Sequence, residues 1–346
     1  MLAASLLLGC TAEVVTLEDG GASAQTIVNG EVSDERDDAV VYLLATPESG
    51  VQNCTGALVA PNLVLTALHC VAYFASGTFS CNSDGTLTAM SPGAGMIGAL
   101  ADPSEVKIFA GVKPDLHGEP DAYGAALFGT GARTICRNDF AAVVLDRSLD
   151  LPTVPVRLDR TVKRGERMLV VGYGQKEDNR TGERRRREGV VVTDVGPASD
   201  ADPPGTTAPR TFVLREGPCH GDSGGPALSE ETGALTGVYS LAPASNCMTP
   251  NVRNVYTRLA PFRDLVLQAF EAAGMEPDLE PPDPDPEPTE PPPPDPDPIG
   301  GSGSREDPSC ACRMAGGRKS ELAALFAGLV GVAFAVRRFR RPLGAR

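Results

Sequence analysis

From residue 40 to residue 257 the chain is a succession of short apolar and β-branched runs, at 40–44, 57–59, 106–112, 168–173, 190–192 and 235–240 among others, separated by Gly, Pro, Asn and Asp. Runs this short, punctuated this often, suit strands and not helices, so the pattern predicts an all-β sandwich or barrel set. One stretch breaks the rule. Phe262, Leu265, Val266, Ala269, Phe270 and Ala273 recur at helical spacing, with Gly274 as a stop signal, and predict a terminal helix docked on the strands.

The chain has 346 residues with 41% hydrophobic content and no Trp, enough for a large core plus appendages. Its formal charge of -14 is misleading for the folded part. Nine acidic residues fall within 276–298, where they alternate with proline, so most of the excess belongs to a linker and nothing points to a nucleic-acid partner. The nine cysteines contain no Cys-x-x-Cys pair, which argues for an oxidising compartment and against a zinc module. With only His69, His117 and His220, spread along the chain, no catalytic metal and no cofactor are expected.

Chemistry concentrates in Gly217-Pro-Cys-His-Gly-Asp-Ser-Gly-Gly-Pro226. Glycines around Ser223 let the backbone turn sharply and let a carbonyl approach bare N–H groups, as a serine nucleophile requires. A hydroxyl also needs a base and an orienting acid. His69 ends the apolar run Leu63-Val-Leu-Thr-Ala-Leu-His-Cys70, and Asp139 opens Asp139-Phe-Ala-Ala-Val-Val-Leu145. Alone, a histidine beside a cysteine or an aspartate before a strand would read as structural.

Taken in order, Ile27-Val-Asn-Gly30, Thr66-Ala-Leu-His-Cys70, Asp139-Phe-Ala and Gly221-Asp-Ser-Gly-Gly-Pro226 resemble the trypsin/chymotrypsin family of serine proteases over roughly residues 27–274. The resemblance implies two antiparallel six-stranded β-barrels with a catalytic cleft between them and a C-terminal helix. It implies a triad of His69, Asp139 and Ser223, an oxyanion hole from the N–H groups of Gly221 and Ser223, and a supporting Ser240 beside Asp139. The polypeptide substrate would be hydrolysed through an acyl-enzyme. The alternative is a non-catalytic protease-fold binding module displayed on a stalk. Nothing in the sequence demands an oligomer, so a monomer is expected.

The resemblance further pairs Cys54 with Cys70 and Cys219 with Cys247, leaving Cys81 and Cys136 as a third bridge by elimination. It makes Ile27 a mature N-terminus whose amine would pair with the carboxylate of Asp222, a charge that is costly to bury without a partner. The substrate pocket would be formed by Gly217, Ser240, Ala242 and Asn254, with His220 a candidate contact at its rim. Gly217 stands where selectivity for Arg or Lys would need an acid, and Ala242 replaces a usual glycine, so an apolar, small-to-medium residue is expected before the cleaved bond. Residues 76–100, rich in Gly and Ser, read as an enlarged surface loop. The run Arg184 to Arg187 reads as a solvated, protease-sensitive loop.

Four regions are expected: 1–26 export signal and pro-segment, 27–275 protease domain, 276–308 Pro/Asp/Glu-rich linker, disordered and stalk-like, and 309–346 C-terminal tail. Leu7-Leu-Gly-Cys10 resembles the lipobox of bacterial lipoproteins, with Cys10 as the lipidated residue, and Ala22-Ser-Ala24 offers an alternative cleavage site. In the tail, Cys310-Ala-Cys312, an uncharged run over 322–336 expected to form one short apolar helix, and Arg337-Arg-Phe-Arg-Arg341 resemble the sorting tail of exported myxobacterial proteins. A sorting or processing protease would act on it. The bland reading is a simple membrane anchor with its arginines on the cytoplasmic side. Either way the location is the cell envelope or surface, or the medium after release.

Overall fold

The computed structural model describes residues 27, 29–174, 182–203, 205–215, 217–219, 221–242 and 252–281. The chain divides after Asp285 into two units, and all the described residues belong to the first. The expectations placed on 1–26, on the linker beyond 281 and on the C-terminal tail lie outside the described residues.

Two closed antiparallel barrels form. The first runs Ala122–Gly129, Ala141–Leu145, Leu63–Thr66, Gln52–Ala60, Val40–Ala45 and Val106–Phe109, the last returning to the first. The second runs Arg185–Val195, Arg167–Gly172, Pro226–Ser229, Leu235–Leu241, Asn254–Arg258 and Thr211–Leu214, closed by the pairing of its end strands. Glu31–Val32 adds a short strand alongside Arg185–Val195.

Strand alternation decides which core each side chain enters. Along Val40–Ala45, Val41, Leu43 and Ala45 point into the first barrel, while Val40 and Tyr42 face Val171 and Tyr173 of the second. Both faces are covered, which explains why that run is apolar without a break. The second barrel is filled by Val170, Val192, Phe212, Leu214, Tyr239 and Tyr256. Between the barrels, Leu63, Leu65 and Phe140 pack with Val238 and with Val266, Ala269 and Phe270 of the terminal helix.

That helix spans Arg263–Ala273 and ends at Gly274, whose φ of 67° lets its N–H reach Glu271 O. Phe262 belongs to the preceding 3-10 turn and stacks on Phe140. Beyond the helix the chain stays on the barrel. Val156 N–H donates to Asp278 O, Glu280 N–H donates to Val156 O, and the Glu280 carboxylate accepts from Arg157 and Arg160 at 2.6 to 2.8 Å. The first residues expected in the linker are therefore a strap on the folded domain.

One local expectation is corrected. Arg184 to Arg187 is no solvated loop. Arg185–Val195 is a strand, and Arg184 just before it is fully buried, donating to Ser33 Oγ, Val40 O, Asp34 O, Asp38 Oδ1 and Tyr173 OH. Arg186, also buried, pairs with Asp37 at 3.0 Å. A guanidinium has five donors, and burial is tolerated because acceptors from residues 33–40 meet them. The enlarged surface loop at 76–100 has strands of its own: Phe79–Cys81 and Leu87–Ala89 form a hairpin, and Ile97–Leu100 pairs with Ala72–Phe74. Among the described residues no helix is long and apolar enough to cross a membrane. The apolar run at 322–336 lies outside them.

Candidate active site

The site begins with a register. Thr66, the last residue of its strand, pairs with Ala141. The chain beyond Thr66 therefore lies beside the chain before Ala141, which brings His69 of the short helix Leu68–Val71 to Asp139. His69 N–H donates to Asp139 Oδ1 at 2.9 Å, and His69 Nδ1 lies 2.7 Å from Oδ2. A carboxylate only accepts, so this contact sets the proton on Nδ1 and leaves Nε2 as the ring's acceptor. The second barrel contributes Ser240, whose hydroxyl donates to Asp139 Oδ2 at 2.6 Å. Asp139 is wholly buried and His69 nearly so.

Ser223 faces the same cleft as His69, a cavity of about 650 Å³. Among the described residues no hydrogen bond joins its hydroxyl to the ring, whose Nε2 is 3.9 Å from Cys70 Sγ. Gly221 sits at φ 89°, and neither its N–H nor that of Ser223 donates to another described residue. Two N–H groups beside one hydroxyl are thus available to a ligand.

The loop carrying Ser223 is clasped to the first barrel by groups that sequence reasoning did not single out. Thr55 N–H donates to Ser223 O at 2.7 Å, and Thr55 Oγ1 donates to Gly221 O and accepts from Tyr173 N–H. Gly224, at φ 78°, approaches so closely that a Cβ there would lie 2.0 Å from Thr66 Oγ1 and 2.3 Å from Thr55 O. A threonine inside a strand carries no sequence signal for such a role.

Asp222 is buried beneath the same loop. Its oxygens accept from Gly174 N–H at 2.7 Å, Cys219 N–H at 2.8 Å and Ile27 N–H at 3.4 Å. Burial nevertheless dominates and pushes this carboxyl up to about 6. Ile27 is 1% exposed and held at φ 41°, a left-handed conformation that a β-branched residue rarely adopts.

The bridges Cys54–Cys70 and Cys81–Cys136 both form. Cys219 is also disulfide-bonded, and Cys247, its expected partner, lies outside the described residues, as do His220 and Cys10. Ser240 and Ala242 line the cavity, with Leu241 and Val255. Gly217 and Asn254 are not on its lining. Asn254 is fully buried, accepting from Tyr239 OH and donating to Arg215 O. His117 is an exposed loop residue.

Paired barrels with His69 and Ser223 on one cleft, and Asp139 hydrogen-bonded to His69, are similar in arrangement to the class of trypsin-like domains. Comparison with known proteins supports that class: residues 104–266 match the family model described as Trypsin, a span that takes in Asp139, Ser223 and Ser240 and begins after His69. A protein named Trypsin from Saccharopolyspora erythraea is 25% identical over 260 residues, covering 72% of this chain and 100% of that protein.

Proposed function

We propose that this protein is a serine endopeptidase in which Ser223 attacks a peptide carbonyl, His69 takes its proton and returns it to the leaving amine, and Asp139 orients the ring. The observation that carries the reading is the buried His69 Nδ1 to Asp139 Oδ2 contact at 2.7 Å, on the cleft that Ser223 also lines. Before substrate binds, the link between serine and imidazole is often long, and it tightens in the complex. The N–H groups of Gly221 and Ser223 would hold the oxyanion, an interaction whose loss typically costs about 10²–10³ in rate.

Cleavage before Ile27 would convert its amide nitrogen, 3.4 Å from Asp222, into a cation beside a buried carboxylate. Release of the preceding residue would also remove the φ constraint at Ile27. Among the described residues the cleft lining offers no carboxylate to a basic side chain, which favours an apolar residue before the scissile bond. Export to an oxidising compartment is supported by the disulfides. Anchoring through the tail or through a lipidated Cys10 rests on the sequence motifs alone.

The test is labelling by a small fluorophosphonate. Reaction that disappears in Ser223→Ala and His69→Ala is expected; an unreactive protein that binds peptides would favour the non-catalytic reading. A peptide-library profile dominated by Arg or Lys before the cleaved bond would overturn the specificity.

A further inference from the structure

The hairpin Phe79–Cys81/Leu87–Ala89 belongs to neither barrel, and nothing in the proton-transfer chemistry requires it. It is nevertheless held in place from several sides. Cys81 is bonded to Cys136, three residues before Asp139. Arg137 donates to Asp84 O at 3.3 Å and pairs with Asp200 at 2.9 Å. Gly85 lies so close to Arg137 that a Cβ would fall 2.4 Å from its Cδ. An aromatic series ties the hairpin to the base of the triad, His69 to Phe74 at 5.4 Å and Phe74 to Phe79 at 6.2 Å between ring centroids. Two strands alone are marginal in water, so the staple and these contacts keep the hairpin upright.

The braced hairpin forms one wall of the cleft that contains His69 and Ser223, with Ser240 to Ala242 also on its lining. Thr78, Ser80, Asn82 and Ser83 of this segment also line the cleft, and its large apolar side chains there are Phe79, partly buried beside Phe74, and Met90, just beyond the second strand and 63% exposed. An exposed methionine beside two rings in a concave site makes an adaptable apolar surface. A peptide lying in the cleft would remove that surface from water.

We propose that the stapled hairpin is a specificity wall, with Phe79 and Met90 receiving a bulky apolar side chain of the substrate within four residues of the bond cleaved. This rests on the protease reading for the identity of the ligand, and the two are tested separately. In the full chain carrying Ser223→Ala, binding of fluorescein-labelled hexapeptides with Phe, Leu, Ala or Asp at each position is measured by anisotropy, without turnover. At one position Phe or Leu should bind at least about tenfold tighter than Ala, the order of discrimination an apolar pocket provides. Met90→Glu, at an exposed position where folding is not at stake, should reduce that preference to within about twofold, and Phe79→Ala should weaken it. Equal binding of all four peptides at every position, or a preference that survives Met90→Glu, overturns the proposal. Fluorophosphonate labelling of the chain with Ser223 intact and the wall unsubstituted reports the triad alone. Peptide preference without labelling would leave the wall standing and remove the protease reading.

Discussion

Asp222 supplies a pH-dependent prediction whose size follows from its surroundings. In the continuous chain its carboxyl is pushed from 3.8 to about 6 because burial outweighs three N–H donors. At 1.36 kcal/mol per pKa unit, that shift corresponds to about 3 kcal/mol. The folded state binds this proton more tightly than the unfolded state does. The associated stability is therefore fully present below pH 3.8 and is lost as pH rises through about 6. At pH 7 the uncleaved fold carries the whole cost, a large share of the 5–15 kcal/mol typical of a domain. Cleavage before Ile27 places an ammonium where an amide N–H now donates at 3.4 Å, which favours the ionised carboxylate and removes that loss. It also releases the strained φ at Ile27, worth roughly 1–3 kcal/mol at any pH. The assay is urea unfolding of the Ser223→Ala chain between pH 4 and 7, uncleaved and cleaved before Ile27. The stability gap should favour the cleaved form at pH 7 and shrink as pH falls through 6. Parallel profiles would refute the reasoning.

Three further outcomes are expected. Gly224→Ala drives a Cβ into Thr66 and Thr55 at positive φ and should abolish activity and lower Tm sharply. Gly233→Ala, also at positive φ but with nothing within 4 Å, should cost only about 1 kcal/mol. Asp139→Asn should lower kcat by about 10⁴-fold through the wrong tautomer, whereas Ser240→Ala, which removes one donor to the same oxygen, should cost far less. Truncation after Met275 removes Glu280, whose carboxyl Arg157 and Arg160 hold down at about 2 against burial. Its contribution is present above pH 4.5 and lost as pH falls through about 2, so the truncated chain should lose Tm at pH 7 and much less at pH 2.

The residues of the candidate site were legible because each sits in a local motif of recognisable residue types. Ser223 among glycines, a histidine after a strand and an aspartate before one are each readable from a few neighbours. The cysteines could be divided in the same way, and Cys81–Cys136 forms as elimination suggested. The strand runs and the terminal helix were visible in periodicity, since alternate burial and the 3.6-residue repeat leave their marks in short windows. The run Arg184 to Arg187 was misread because four consecutive cations look solvated wherever their acceptors lie about 150 residues away, as Ser33, Asp34 and Asp38 do from Arg184.

The sequence by itself determined that strands would dominate, where the helix would end, and which serine, histidine and aspartate could work together. Only the tertiary structure decided that the pairing of Thr66 with Ala141 sets His69 against Asp139, and that Thr55 and Gly224 clasp the Ser223 loop to the other barrel. It also decided that the glycine-rich segment 76–100 carries a braced hairpin and that Glu280 closes the fold as a strap. Local propensity acts over a few residues, whereas register, close backbone approach and the pairing of buried charges are settled between segments far apart in the chain.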